Sequence, residues 1–226
     1  MDALTQARRR HHAGDTAGAI AACRAAAPEQ NPVAARLLGL LLAEAGANEE
    51  ALHWVGHATT LGRSAETLAA LGRVLALQDR WLDAVPVLQE ALVLTPGFAA
   101  AQQLLNRAGA ALYRLGTARH ESGAPAEAVP AYRAALALDP RRFETWHNLG
   151  SALQALGALD DALHAYAQAY RLDPACFPRI AQELAAGRAG QVWLRAADLR
   201  SYLTGLVHDT PPDRRRASPG PHPPPR

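Results

Sequence analysis

The residues of this chain able to do acid, base, nucleophilic or metal chemistry are nine histidines, two cysteines and scattered carboxylates. His53 and His57 stand four apart, a spacing that on a helix brings two imidazoles to one side and within reach of one metal ion. No third ligand stands near them in the sequence, so solvated surface histidines are the plainer reading. His11 and His12 are sequential and point to different sides of a helix. Cys23 and Cys176 are far apart and follow no CxxC pattern, which supports neither a zinc site nor a disulfide framework. Asp160 and Asp161 fall where a helix start attracts carboxylates. No GxSxG elbow, phosphate-cradling glycine loop or HExxH is present. The expectation is a chain that is not an enzyme and uses no cofactor or metal. Arg8-Arg9-Arg10 and Arg214-Arg215-Arg216 are the basic runs; both are short and lack the aromatic residues that stack bases, so nucleic acid is not an expected partner.

Whatever the chain does must be positioned by its elements, and composition narrows these. Of 226 residues 49% are hydrophobic, 19% charged and 5% aromatic. That is enough apolar material for a core and excludes a disordered chain. Lysine is absent, so all 23 basic residues are arginine, and the net charge is only +2. This balance gives no bulk reason for nucleic acid or an acidic membrane as partner. An excess of alanine, the best helix former, predicts an all-α fold. The first twelve residues lack the apolar core of a secretory signal, and no run reaches the roughly 18 apolar residues of a membrane helix. A soluble, cytoplasmic protein without membrane insertion is expected.

Internal periodicity decides the architecture. Two windows align without a gap, 109–142 and 143–176. The second carries Trp146, Leu149-Gly150, Leu153, Gly157, Ala162, Tyr166, Ala169 and Pro174; the first has Leu112, Leu115-Gly116, Arg119, Gly123, Ala128, Tyr132, Ala135 and Pro140 in the matching places. Leu149 and Leu153 share a face, as do Ala162, Tyr166 and Ala169 after the Gly157 break, so each window predicts two helices joined by a turn. Small residues at Gly150 and Ala162 let the helices approach, and Asp173-Pro174 ends the second. Residues 65–98 repeat the phase with Leu68, Leu71-Gly72, Leu75, Ala84, Leu88, Ala91 and Pro96. Residues 32–64 are a looser copy, with Arg63 where the final proline belongs, and 1–31 a degenerate, capping-like one. Ten extra residues, 99–108, contain no breaker and extend the next helix backwards to about Ala99 through Glu121; they are expected to divide the array into an upstream group of three repeats and a downstream pair.

The pattern resembles the tetratricopeptide repeat, whose period is 34 residues and whose signature runs W, L-G, Y, A, F, A, P. The resemblance covers roughly residues 1–176 and implies a right-handed superhelical solenoid of antiparallel helix hairpins, whose first helices line a concave groove that holds a partner's peptide or helix. Family groove positions carried onto the repeats fall on Val33, Arg36, Leu37, Leu40, Ala43 and Glu44; on Glu66, Ala69, Ala70, Arg73, Ala76 and Leu77; on Ala110, Tyr113, Arg114, Thr117, His120 and Glu121; and on Glu144, His147, Asn148, Ser151, Gln154 and Ala155. From these Arg36, Leu40, Arg73, Tyr113, Arg114, Thr117, His120, His147, Asn148, Ser151 and Gln154 are taken as the peptide-binding groove. Family members that bind acidic chaperone tails use lysines and asparagines there; here only Asn148 matches, with Arg36, Arg73 and Arg114 able to grip carboxylates instead. His120 and His147 sit in neighbouring repeats and could make binding pH-dependent, though ordinary surface polarity is preferred.

Downstream, 178–187 predicts a capping helix with Ile180 and Leu184 on its buried side. Val192, Trp193 and Leu194 form an apolar run that either packs on the array or serves as a docking patch. A last helix follows, about Ala196 through Leu206, with Leu199, Tyr202, Leu203 and Leu206 at helical spacing. From Asp209 the Pro/Arg-rich tail cannot bury a core and is expected to be disordered. The functional expectation is a non-catalytic adaptor that binds a protein segment in its groove. The alternatives are an assembly factor shielding a partner's hydrophobic helix, or an accessory module of a glycosyl- or sulfo-transferase system; self-association is open.

Overall fold

A computed structural model describes residues 2–186 and 196–208; Val192, Trp193, Leu194 and the tail from 209 lie outside them. The described residues are helical and contain no strand. They divide into two compact units, 1–140 and 141–226.

The first unit holds four helix pairs: α1 (Ala3–His12) with α2 (Thr16–Arg24), α3 (Pro32–Glu44) with α4 (Asn48–Leu61), α5 (Ala65–Leu77) with α6 (Trp81–Leu94), and α7 (Ala99–Glu121) with α8 (Pro125–Leu138). α2 also packs on α3, α4 on α5 and α6 on α7, and α3, α5 and α7 touch in succession. Helices α3 and α5 begin on side-chain caps: Asn31 Oδ1 accepts from the Val33 and Ala34 amides at 3.0 and 3.2 Å with Pro32 at the first helical position, and Ser64 forms a reciprocal box with Thr67. These satisfy amides that have no partner inside a helix. The turn to each second helix runs instead through a left-handed residue: Gly14, Gly46, Gly123 and Gly157 at φ +76° to +79°, with Asp79 at +55° in the third pair. Asp tolerates that region better than most side chains, because it bonds locally to the backbone.

Burial follows the helical stripes. Ala7, Cys23, Leu38, Leu41, Leu42 and Val55 form one cluster with Ala70 and Val74 of α5; Leu68 and Leu75 on the other side of α5 form a second with Trp81, Leu88, Leu105 and Leu112. α5 therefore belongs to both cores. Helix α7 is continuous over its 23 residues, and Ala101, Leu105, Ala108 and Leu112 make one stripe on the second core. Those residues add apolar contact to the pair before them, so compactness carries on through α8 and the units part after Pro140.

The second unit contains α9 (Phe143–Ala155), α10 (Leu159–Leu172), a 3-10 turn (Pro174–Cys176), α11 (Phe177–Ala186) and α12 (Ala196–His208). Its core gathers Leu149, Leu153, Leu163 and Tyr166 with Phe177, Ile180 and Leu184 of α11 and Leu199 and Leu203 of α12, while Tyr202 stays exposed. Phe177 is held edge-on by Tyr170, ring centroids 5.8 Å apart, and the Arg200 guanidinium lies 4.3 Å above its ring. Within the α9/α10 pair the glycine of the L-G motif lets a tyrosine lie against the helix backbone: a methyl built on Gly150 would fall 2.7 Å from the Tyr166 ring. Gly116 and Tyr132 are related in the same way.

Candidate protein-interaction site

The first helices of unit 1 present the expected groove positions as two neighbouring features. At their starts Val33, Arg36 and Glu66 come together with Arg8, Pro32, Gly62, Arg63, Ser64 and Thr67 around a depression of about 440 Å³. Its lining joins the apolar Pro32 and Val33 to the cations Arg8, Arg36 and Arg63, with Glu66 among them. Arg63 is engaged bidentately, its Nε and Nη2 donating to the two Glu90 oxygens at 2.6 and 2.7 Å. The Glu66 carboxyl lies below its ordinary pKa, chiefly because Ser64 hydrogen-bonds to it, with the Arg36 charge adding to the effect. Arg8 has no ion pair among the described residues.

One turn or more along, Glu44 bridges two helices. It accepts from Arg73 Nη2 at 3.0 Å and meets His11 Nε2 at 2.8 Å. Arg73 thus already engages a carboxylate inside the chain. Leu40 is half-buried, whereas Leu77 is 56% exposed and Val33 37%.

On α7 the predicted residues are held differently. Tyr113 packs on the second core, its ring 6.3 Å from that of Tyr132. Thr117 donates to the Tyr113 carbonyl at 3.1 Å and accepts the Tyr132 hydroxyl at 3.4 Å. Arg114 is exposed and His120 half-buried. Tyr113 and Thr117 are therefore partly structural.

The unit 2 positions form a polar cluster under α11. His147 is only 2% exposed, not the accessible groove residue expected. Its Nδ1 lies 3.4 Å from Asn148 Oδ1, and its Nε2 lies 3.4 Å from Glu183 Oε1 without a hydrogen bond. Gln154 Nε2 donates to the Glu183 carbonyl at 2.8 Å. The Tyr166 hydroxyl proton has two acceptors, Glu183 Oε2 at 2.9 Å and Gln154 Oε1 at 3.0 Å, and Ser151 hydrogen-bonds to the same phenol. Burial, reinforced by the Glu183 carboxylate, pushes the Tyr166 phenol well above its ordinary range. Arg179 Nε stands 3.6 Å from Glu183 Oε1 on the solvent side. Sequence reasoning missed Glu183, Arg8 and Arg63. Glu183 did carry a signal, since a carboxylate three residues after Ile180 and one before Leu184 lies on a buried stripe.

Elsewhere, the His53 and His57 rings stack at 6.3 Å and His57 Nε2 bonds the Glu29 carbonyl at 3.1 Å. Among the described residues no three His, Cys, Asp or Glu side chains gather as a metal site, and no helix is long and apolar enough to cross a membrane. Cys23 and Cys176 are buried free thiols, both pushed up to about 11 chiefly by burial.

Family models of the tetratricopeptide repeat match residues 143–176 and 109–142. The chain carries tetratricopeptide repeats. Among solved structures, a crystal structure of MamA protein is 22% identical with a TM-score of 0.43, the match covering 77% of this chain and 91% of that one. A second crystal structure of MamA is 23% identical with a TM-score of 0.41, covering 75% and 95%. No curated protein sequence matches. Tetratricopeptide repeats characterise protein-interaction scaffolds, and in that general sense this is one.

The second matched repeat has a titration consequence. Burial lowers the His147 pKa below its ordinary 6.5, and Arg179 adds to this, while the Glu183 carboxylate and the Asn148 hydrogen bond oppose it. The groups facing the ring are Asn148 on α9, Tyr166 on α10, and Arg179 and Glu183 on α11. As pH falls below about 6.5 the unfolded chain takes up this proton before the folded one does, so stability falls with acid, by at most about 1.4 kcal/mol per pH unit for one proton. Above that range the contribution is flat. Urea melts from about pH 5 to 7.5 should show this slope in the wild type and a shallower one in His147→Gln; equal slopes would refute the assignment.

Proposed function

We propose that the protein is a non-catalytic scaffold that receives a segment of a partner protein on the first-helix face of unit 1. The observation that carries this reading is the depression formed by Val33, Arg36 and Glu66 with Arg8, where apolar and arginine side chains line one hollow on packed helices. Such a surface recognises without chemistry: a side chain of the partner covers Pro32 and Val33, and guanidinium groups take its carboxylates or carbonyl oxygens. Arg114 and Asn148 remain secondary candidates for contact. Pre-formed helices keep the entropic cost of ordering on the partner's side.

The test is affinity capture from the native host with the wild type beside an Arg36→Glu, Val33→Asp double variant, both at the surface and both checked for unchanged helical circular dichroism. A partner held by the wild type should be weakened at least about tenfold in the variant, the size expected for losing one charge-assisted contact. An unchanged partner would remove the site from this depression.

A second reading, a factor that shields a partner's hydrophobic helix, is favoured by the exposed Leu77 together with Val33 and half-buried Leu37 and Leu40 on α3 and α5. It predicts that the captured partner is insoluble when this protein is absent.

A further inference from the structure

In unit 2 the groove positions are occupied by the chain itself. His147 of α9 and Tyr166 of α10 meet the carboxylate of Glu183 on α11, Gln154 of α9 donates to the Glu183 backbone carbonyl, and Ser151 bonds the Tyr166 phenol. The neighbours of Glu183 on that stripe, Ile180 and Leu184, are buried, so α11 reads the surface through an apolar residue, a glutamate three on and a leucine four on. That is the i, i+3, i+4 set by which an amphipathic helix fills a groove.

Two observations make this occupant an imperfect one. His147 Nε2 is buried and left without a hydrogen bond although Glu183 Oε1 stands 3.4 Å away, the same oxygen lying 3.6 Å from Arg179 Nε. A charge-assisted bond at that place would close to about 2.7–2.9 Å, and an unmade bond on a buried nitrogen is costly. The helix itself has ten residues, below the length of about 12–15 at which a helix holds without tertiary support. Its order therefore depends on a seat that it does not fully satisfy.

We infer that the α9/α10 face is a docking site for a partner's amphipathic helix carrying this apolar, glutamate, leucine pattern, and that α11 is its resident, displaceable occupant. The inference rests on the scaffold reading and names the chemistry of one class of partner, together with the intramolecular contact that regulates access. A longer helix placing its carboxylate within bonding distance of His147 Nε2 would outcompete α11 by completing the buried contact.

The probe is a labelled, end-blocked peptide of the α11 sequence, Phe177 through Ala186, beside the same peptide with glutamine at the Glu183 position. It is titrated into the full chain and into the full chain with Ile180→Ala, which loosens the resident helix. The glutamate peptide should bind Ile180→Ala at least about tenfold more tightly than the wild type, and about tenfold more tightly than the glutamine peptide does. Absence of binding to Ile180→Ala, or equal affinity for both peptides, overturns the inference. Hydrogen exchange on the unmodified chain gives an arm that needs no variant: α11 amides should exchange at least about tenfold faster than those in the middle of α9 and α10, and equal protection overturns displaceability. A dimer that forms with concentration and is lost in Glu183→Gln would assign the seat to a second copy of the chain and overturn the partner assignment. Partner capture through the Arg36 surface is read on chains with α11 intact, so the two readings fail separately.

Discussion

Tyr166→Ala is expected to destabilise unit 2 by about 3–5 kcal/mol, the range for emptying a large aromatic site in a close-packed core. Tyr166 is fully buried, its ring against the backbone at Gly150. The substitution also strips the phenol from Glu183 and Gln154. Comparison with Tyr132 separates the two effects. Both rings are fully buried against a glycine, but the Tyr132 hydroxyl donates to a neutral acceptor, Thr117 Oγ1, at 3.4 Å, whereas that of Tyr166 donates to a carboxylate at 2.9 Å. Tyr166→Phe should therefore cost about 1–3 kcal/mol, because it leaves a carboxylate oxygen short of its donor, and Tyr132→Phe no more than about 1 kcal/mol. Urea unfolding of the four variants measures this. Equal costs for the two phenylalanine variants would mean that the Glu183 bond contributes nothing to stability.

The second large effect is a substitution that changes sign with its address. Gly39 on α3 and Gly56 on α4 are both helical, but only Gly39 faces the partner helix. A methyl on Gly39 would fall 2.6 Å from Val55 Cγ1 and 2.9 Å from two backbone atoms, the Ala51 oxygen and the Val55 nitrogen. Rotating a side chain relieves the first contact but not the others, so α4 must move away and the core around Leu38 and Val55 opens. Overpacking of this kind costs up to about 3 kcal/mol, and the gain of about 1 kcal/mol in helix propensity leaves Gly39→Ala destabilising by about 2 kcal/mol. At Gly56 a methyl meets nothing within 4 Å, so Gly56→Ala should stabilise by about 1 kcal/mol through propensity alone. Thermal melts moving in the same direction for both variants would contradict the packing described for this pair.

These cases also mark what a reader of the sequence can see. The glycine before each second leucine of the motif announces a close approach, and the partner it approaches, Val55, Leu88, Tyr132 or Tyr166, stands at a constant place in each repeat. The breaker-free run from Ala99 reads as one helix for the same local reason: propensity and spacing act over a few residues. What the run does to its neighbours is not local. Whether Leu105 finishes the preceding core or begins a new one depends on how α6 presents Leu88, and so the division after Pro140 was not legible. His147 is the clearer instance. Its position in the repeat marks it as facing a groove, and it does, but the groove is filled by Glu183, which lies 36 positions later on a helix outside the repeat pattern. Arg8 reached the unit 1 depression in the same way, from a degenerate repeat whose first helix keeps little of the signature. In both cases the residue type was visible and its company was not, because company is decided by packing between elements.

The continuity of α7 bears on how the array comes apart. A stack of helix pairs coupled only to nearest neighbours melts like a one-dimensional lattice, fraying pair by pair, each junction being a place where a boundary between folded and unfolded segments can rest. At this junction no such resting place exists on the backbone. The same hydrogen-bonded helix supplies Leu105 to the core of α5 and α6 and Leu112 to its contact with α8, so a boundary placed there must break a helix in mid-course and expose both faces at once. Melting that reaches α7 from either direction is then committed to the next pair, and the third and fourth pairs of unit 1 exchange their amides as one cooperative block.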